Sequence, residues 1–294
     1  MSTVDLASLP APEVLEPLEF EAVYAEELAD FRAYMGDQWN AALESDPVVK
    51  LLEQAAYRRM QNRARVNSAA KALLLAYAEG SDLDQLAANV KLQRLVIREA
   101  DESAVPPTER VMEDDAALRE RVQLAYEGLT TAGPRSSYIL HARSASALVG
   151  DATAESPRPA EVVVTVLHVE GQGVADQALL DTVYARLSDE DIRPVGDRLT
   201  VQSAEVLPYS IDAVVYMEGV GSENEAILAE CQRRINAWIN PRRRLGVEVS
   251  RSAIDAQLHI TGVRKVVLNG WVDIVPTKAQ AAYCTSVKVV QGDA

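Results

Sequence analysis

The residue types that most often do chemistry are few in this chain, and none stands in the setting that such chemistry requires. No histidine belongs to an H-x-x-x-H or H-E-x-x-H pattern, which would place two imidazoles beside one metal ion. The two cysteines form no C-x-x-C pair and have no histidine nearby in the sequence, which predicts reduced, packed thiols. These residues are His141, His168, His259, Cys231 and Cys284.

Glycine and carboxylate patterns give no better candidate. The pairs Gly171/Gly173 and Gly219/Gly221 lack the third glycine of a dinucleotide-binding loop, so we interpret them as turns. No G-x-S-x-G nucleophile elbow occurs. Paired acids such as Glu190/Asp191 are typical of solvated helix ends. The sequence therefore predicts no catalytic residue, no metal ligand and no cofactor.

Two basic clusters allow two interpretations. Arg58, Arg59, Arg63 and Arg65 lie close together, and Arg242–Arg244 follow a proline. Both clusters could simply compensate neighbouring carboxylates and a helix C-terminus. Alternatively, they could form ion pairs between acidic subunits and set their register.

The first cluster lies in a long predicted helix. Asp46 is a suitable N-cap, and Pro47 fits the first helical position. Gly80 is the next glycine or proline, and it could end the helix in a left-handed conformation. The pattern predicts a helix over 47–79, about 50 Å long at 1.5 Å per residue. Ser81 then begins a second helix.

Apolar residues along this helix recur at alternating steps of three and four, a spacing typical of coiled coils. This seam could pack on the protein's own domain, with Arg63 extending to solvent. It could instead face helices of other chains, where a polar seam residue fixes the register. The seam consists of Val49, Leu52, Ala56, Met60, Arg63, Asn67, Ala70, Leu74 and Tyr77.

An amphipathic helix is predicted before it, over 19–44, and would pack antiparallel on the long helix to form an elongated hairpin. Its apolar positions are Phe20, Val23, Tyr24, Leu28, Phe31, Met35, Trp39 and Leu43. Residues 1–18 contain three prolines and little periodicity. They are predicted to be an extended arm, either disordered or ordered against a neighbouring subunit.

The fold class predicted for the whole chain is α+β, with a helical bundle domain over 19–90 followed by two small α/β layers with mixed sheets. Residues 91–112 lose the helical pattern and are interpreted as a linker. The first α/β domain is expected over 113–205 and the second over 206–294. Strands are predicted at 161–169, 198–206, 209–216, 263–268 and 286–290, and helices at 114–128, 136–148, 176–187, 222–239 and 252–258.

Composition limits the possible partners. The formal net charge is −15, which disfavours direct binding to nucleic acid, because phosphate binding depends mostly on lysine and arginine. No run of about 18 apolar residues is present, so no membrane span is expected. The N-terminus lacks the basic start and apolar run of a signal peptide, so synthesis in the cytoplasm is expected.

Several stretches together resemble one known family. DPVVKLLEQAAYRRMQNRARVNSAAKALLLAYAEGSDLDQLAA is similar to the baseplate assembly J-like proteins of contractile-tailed bacteriophages and R-type bacteriocins. LPAPEVLEPLEFEAVYAEELADF resembles the opening of that family, DDAALRERVQLAYEGLTTAGPRSSYILHA its central signature and RSAIDAQLHITGVRKVVL its C-terminal one. The four stretches occur in the family's order and cover most of the chain. Many relatives carry an additional domain where this chain has only the predicted linker.

The resemblance implies a structural role. In that family, two J-like copies and one smaller partner, of the tail-protein-I type, form a heterotrimeric baseplate wedge. The wedges close a sixfold ring around the hub, and they pass the trigger for contraction to the sheath. Further partners would be neighbouring wedges, the hub or spike, and baseplate proteins near the sheath. The subunit would be made in the bacterial cytoplasm and end in the tail baseplate.

Carried onto this sequence, the resemblance assigns the helical hairpin to the bundle and the α/β part to the ring. The bundle positions would be Leu52, Ala56, Met60, Arg63, Asn67, Ala70 and Leu74. Ring contacts would come from Trp238, Arg243, Trp271 and the strand at 286–290. Two other functions are alternatives: a cell-wall hydrolase, for which no glycosidase motif is visible, and a stand-alone helical adaptor that binds other proteins.

Overall fold

The computed structural model describes residues 6–10, 12–36, 39, 43, 45–126, 134–219, 221, 223–240 and 243–292. The chain divides into two compact units, Met1–Gln93 and Arg94–Ala294. This boundary lies close to residue 91, where the predicted linker begins. Within the described ranges, no helix is both long and apolar enough to cross a bilayer.

Among its described residues, the first unit contains a short 3-10 helix at Leu6–Ser8 and three α-helices: α1 (Phe20–Met35), α2 (Pro47–Ala72) and α3 (Gly80–Asn89). The start of α2 is the one predicted, because Asp46 Oδ1 accepts a hydrogen bond from Val48 N at 2.8 Å. Pro47 occupies the first turn, where an N–H is not needed.

Both long helices end earlier than predicted. The helix expected over 47–79 ends at Ala72, and the chain turns through 73–77 before α3 begins. Gly80 does adopt a positive φ of 51°, but it begins α3 and does not end α2. The turn brings Ala78 and the α3 residues Leu83 and Ala87 into buried positions. Packing therefore outweighs the good helix-forming tendency of the Leu- and Ala-rich stretch.

The helix expected over 19–44 ends at Met35. Trp39 lies beyond the helix, with its ring 5.1 Å from that of Phe31 in an edge-to-face arrangement. Leu43, predicted to face inward, is exposed. The remaining predicted apolar positions of α1 are buried or half-buried, so the face of the helix was predicted correctly.

Helix α1 packs antiparallel on α2, as the sequence predicts. Arg59 pairs with Glu26 and Glu27 on α1, whereas Arg63, one turn further along α2, pairs with Glu26 and Glu16. The partner numbers fall as the α2 numbers rise, which defines the antiparallel direction. Residues 15–19 lead into α1 without regular structure.

The second unit begins with a short antiparallel pair, β1 (Val96–Arg98) and β2 (Val111–Met112), followed by α4 (Asp115–Leu124). The predicted linker at 91–112 therefore contains regular structure. Asp114 caps α4 by accepting a hydrogen bond from Ala117 N at 2.7 Å. The predicted end of this helix at residue 128 lies outside the described residues.

The first α/β layer comprises α5 (Arg135–Ala145), β3 (Val149–Glu155), β4 (Glu161–His168), α6 (Gln177–Leu187) and β5 (Arg198–Ser203). Its strands lie in the order β3-β4-β5, antiparallel and then parallel. Strand β3 was not predicted, because VGDATAE is small and polar. The core between this sheet and its helices contains Tyr138, Ala142, Val164, Val166, Leu179, Val183 and Leu187.

The second layer comprises β6 (Glu205–Met217), α7 (Glu223–Trp238), α8 (Arg251–Leu258), β7 (Val263–Leu268) and β8 (Gln280–Gln291). Its strands lie in the order β7-β6-β8, again with one antiparallel and one parallel pair. Its core contains Ile211, Ala213, Val215, Cys231, Ile235, Ile254 and Leu258. The predicted α+β class with mixed sheets is therefore confirmed.

The two layers meet within this unit. Only Ala204 separates β5 from β6, and a small buried cluster joins the sheets there: Leu167, Ala204, Leu245 and Ala281. Asp151 Oδ2 accepts a hydrogen bond from Leu245 N at 2.9 Å, and Thr153 Oγ1 donates to Lys278 O at 2.6 Å. The layers thus form one compact body.

Candidate assembly interfaces

The predicted bundle residues share one face of α2, except for Leu74, which follows the end of the helix. Ala56 and Asn67 are buried, and Leu74 is exposed; the others, Leu52, Met60, Arg63 and Ala70, are half-buried. Helix α1 and the arm before it lie along this face in the same chain. The seam therefore has a partner within its own chain, and a role for it between subunits stays a prediction.

The two polar seam residues explain how the arm is held. Asn67 Nδ2 donates to Glu16 O at 2.8 Å, and Glu16 N donates to Asn67 Oδ1 at 3.0 Å. Arg63 Nε lies 2.8 Å from Glu16 Oε2, and its Nη2 lies 3.3 Å from Glu26 Oε2. Arg63 and Asn67 thus fix the arm and α1 on α2 within one chain. This geometry corresponds to the first interpretation of the basic cluster, which is compensation by neighbouring carboxylates.

Helix α2 carries a second apolar face that sequence analysis missed. Leu51, Val66 and Leu73 are 65%, 52% and 76% exposed. Ala55 and Ala69 are also exposed, and the five residues lie on one side of the helix, roughly a third of a turn from the seam, with the exposed polar residues Arg58 and Asn62 between the two halves of the set. We call Leu51, Ala55, Val66, Ala69 and Leu73 the outer stripe. Steps of three or four residues within each half of the set, from Leu51 to Ala55 and from Val66 through Ala69 to Leu73, were the signal for it in the sequence.

The third face of α2 is polar and borders the outer stripe on the side away from the seam. Lys50, Gln54, Gln61, Arg65 and Ser68 are all exposed there. An apolar stripe bounded by a polar face is typical of a contact surface, whereas isolated exposed apolar residues are ordinary.

Arg243, a predicted ring residue, is engaged inside the second unit. Its Nη1 donates to Gly171 O at 2.9 Å, and its Nη2 donates to His168 O at 3.1 Å. The guanidinium lies over the Tyr283 ring, 5.4 Å from the centroid, and burial lowers its pKa. These contacts join the first layer to the second, so they give Arg243 a structural role without any other chain. Arg242 lies outside the described residues.

The two tryptophans predicted as ring contacts lie on the second layer. Trp271 Nε1 donates to Asp273 Oδ1 at 3.0 Å, and its ring packs edge-to-face on Tyr209, 5.7 Å away. Trp238, at the end of α7, is half-buried and lines a largely apolar cleft of about 320 Å³. The cleft is also lined by Tyr209, Ile239, Arg243, Arg244, Val247, Glu248, Val249 and Ala282.

No arrangement for catalysis emerges from the described part of the chain. Both cysteines are buried, and burial raises the pKa of both thiols, which keeps them protonated and weakly nucleophilic. Cys231 Sγ donates to Leu258 O at 3.3 Å. Among the described residues, no group of three or more histidine, cysteine, aspartate or glutamate side chains is placed to hold a metal ion.

Comparison with known proteins identifies the class to which this architecture belongs. The family model for the Baseplate J-like N-terminal domain matches residues 44–101, which include α2 and α3. The model for the Baseplate J-like central domain matches residues 130–203, which span the first α/β layer.

A full-length relative agrees with these two matches. Baseplate protein J of Escherichia phage P2 is 46% identical over 299 residues, and the alignment covers 99% of each chain. The chain therefore belongs to the Baseplate J-like family, as the sequence motifs predicted.

Proposed function

We propose that this chain, a structural subunit of a phage-type baseplate by its family, forms the wedge of a contractile tail. Two copies join one smaller subunit of the tail-protein-I type in a heterotrimer. Wedges then close a sixfold ring around the hub of a phage or R-type bacteriocin. Assembly takes place in the bacterial cytoplasm, and the finished subunit resides in the tail baseplate.

The outer stripe is the observation that carries this proposal. Leu51, Val66 and Leu73 stay exposed although α1 already covers the seam. Removing this apolar stripe from water favours association by roughly 25 cal/mol per Å² buried, before the entropy of association is subtracted. Helices of a second copy and of the smaller subunit would supply that cover. The bundle then uses the outer stripe in addition to any part of the seam that remains accessible.

Ring contacts are assigned to the second unit. Trp238 and Trp271 supply large amphipathic side chains at its surface, and aromatic residues are enriched at protein interfaces. The strand at 286–290 lies within β8, an edge strand of its sheet. An unpaired strand edge is a template for pairing with another chain. Neighbouring wedges, the hub or spike and the sheath-proximal proteins are the proposed occupants.

The proposed mechanism is mechanical and contains no catalytic step. Contact of the tail fibres with a receptor would change the angles between wedges, widen the ring and free the sheath to contract. The chain would contribute interfaces with two alternative packings, which convert a small local shift into a large one.

Co-expression with the smaller baseplate subunit tests the bundle. Val66→Asp places a charge in the outer stripe, and we expect it to abolish the heterotrimer, measured by size exclusion with light scattering. Gln61→Asp is the matched control, because it places the same charge on the polar face of the same helix. Assembly of both variants at the wild-type level would overturn the proposal, and a chain that stays monomeric with every baseplate partner would favour the adaptor function.

A further inference from the structure

The cleft beside Trp238 has a different chemical character from the rest of this acidic protein. Tyr209, Trp238, Val247 and Ala282 give it an apolar lining. A shallower depression shares Trp238 and is lined by Arg233, Arg234, Ala237 and Gln257. We call the two together the tryptophan cleft.

Arginines give this cleft a positive potential in a chain of net charge −15. Arg243 and Arg244 line the apolar part together with the carboxylate Glu248, and Arg233 and Arg234 line the shallower depression. Arg233 pairs with Glu230, and Arg244 pairs with Glu120.

Arg234 differs from these two arginines. Glu230, one turn earlier on α7, is near enough to attract it but forms its ion pair with Arg233, and no carboxylate of the described residues lies within ion-pair distance of Arg234. An apolar cleft with surplus positive charge selects a segment that is both apolar and acidic.

The arm at 12–19, which reads PEVLEPLE, has that composition. Asn67 holds its backbone at Glu16, and the Glu16 side chain pairs with Arg63. Val14 and Leu18 nevertheless remain 56% and 45% exposed.

The other two acids of the arm remain available. Glu13 and Glu19 are exposed and form no ion pair with a described residue. While it is held on α2 of its own chain, the arm therefore presents two apolar side chains and two carboxylates to the solvent.

We propose that the arm of one copy binds the tryptophan cleft of a second copy. Val14 and Leu18 pack against Trp238 and Val247, and Glu13 and Glu19 face Arg234 and the neighbouring arginines. The apolar part of the cleft, with a volume of about 320 Å³, lies at the small end of protein binding pockets, which suits a few aliphatic side chains. Charge complementarity selects this occupant in preference to a neutral or basic segment.

The arm and the cleft are different surfaces, so the contact is heterologous and repeats from head to tail. Such a contact closes into a ring when the rotation between copies permits it. The inference rests on the proposed function in one respect, since a baseplate ring needs contacts between like subunits. Beyond that function, it identifies the two surfaces that meet, which are the arm of one copy and the tryptophan cleft of the next.

Peptide binding tests the contact on the full-length chain. A labelled peptide of residues 9–19 is titrated with the protein at low concentration, and fluorescence anisotropy reports binding. We expect saturable binding that weakens as salt is raised, because the ion pairs are exposed. Arg234→Glu should weaken binding at least tenfold. Arg186→Glu, which changes an exposed arginine of α6, should leave binding unchanged.

A charge exchange makes the test specific. A peptide with Glu13→Lys and Glu19→Lys should bind Arg234→Glu more tightly than it binds the wild-type chain. A peptide with Val14→Asp and Leu18→Asp should bind neither protein. Equal binding to wild type and Arg234→Glu, or no saturable binding at about 1 mM peptide, would overturn the inference. Wedge formation with the smaller subunit is measured in a separate experiment. Failure of the arm to bind the cleft can therefore be distinguished from failure of the heterotrimer to form.

Discussion

Asn67 and the backbone of Glu16 bind each other through two hydrogen bonds, 2.8 Å and 3.0 Å long. The side-chain amide thereby satisfies both polar groups of one arm residue, as a neighbouring strand would. Asn67 is itself buried, so water cannot replace it easily. A polar residue inside an apolar seam thus fixes where the arm lies.

Asn67→Ala removes both hydrogen bonds and leaves Glu16 N and O without their partner. We expect a loss of about 1–3 kcal/mol in the free energy of unfolding, together with faster hydrogen exchange at the Glu16 amide. Asn62→Ala is the matched control, because Asn62 is exposed on the same helix and the gain in helix propensity is the same. Equal exchange rates in the two variants would show that Asn67 does not hold the arm.

The ion pair between Arg121 and Glu113 is buried, with Nη1 and Oε2 2.6 Å apart and side chains 3% and 5% exposed. Arg121→Met leaves the Glu113 carboxylate buried without its cation, and we expect a loss of about 3–5 kcal/mol in chemical denaturation. Replacing both partners, with Glu113→Gln added, should recover part of the loss.

The exposed pair of Arg110 and Glu99 provides the comparison. Its atoms lie 3.2 Å apart, and its side chains are 53% and 73% exposed. Arg110→Met should cost no more than about 1 kcal/mol, because solvent screens the pair. Similar losses at the two sites would contradict the importance of burial.

Gly173 lies in the loop that accepts hydrogen bonds from Arg243. Its φ is 100°, and a Cβ there would lie 2.6 Å from Leu167 Cδ1 and 3.3 Å from the Arg243 guanidinium. Gly173→Ala therefore adds a steric clash to backbone strain. Gly171 has a φ of 58° with open space around it, so Gly171→Ala carries the strain alone.

We expect Gly171→Ala to lower stability by about 1–2 kcal/mol, and Gly173→Ala by about 1–3 kcal/mol more. Thermal unfolding with calorimetry measures both. If the two alanines had the same effect, close packing of this loop between Leu167 and Arg243 would be refuted.

Asp151 is buried where the two α/β layers meet, and burial raises the pKa of its carboxyl above the ordinary 3.8, although Arg244 and Arg143 oppose the shift. The native state therefore binds the proton more tightly than the unfolded chain does. The stability that this carboxyl contributes is complete below the unfolded-state pKa, and it is lost as pH rises through the higher folded-state pKa.

Asp151→Asn removes this pH dependence, because an amide does not titrate. We expect the stability of the variant, relative to wild type, to rise with pH through that window and to become constant above it. Urea denaturation at a series of pH values measures the difference. A difference that is the same at every pH would refute a raised pKa at Asp151.

Much of the secondary structure follows from short-range sequence alone. Asp46 and Pro47 fix the start of α2, because capping and a preset φ act within one turn. The run EVVVTVLHV gives β4, since β-branched residues favour a buried strand. The family is also recognisable from sequence, because several separate motifs occur in order.

Tertiary structure decided the features that depend on distant neighbours. Helix α2 ends at Ala72, which allows Ala78 and Leu83 to be buried. Strand β3 forms from a stretch with no strand signal of its own, because β4 lies beside it and pairs with it. Tertiary structure also turned Arg243 toward carbonyl groups more than 70 residues earlier in the chain. Periodicity shows that α2 has apolar faces, but only the position of α1 decides which of them is covered and which remains for a partner.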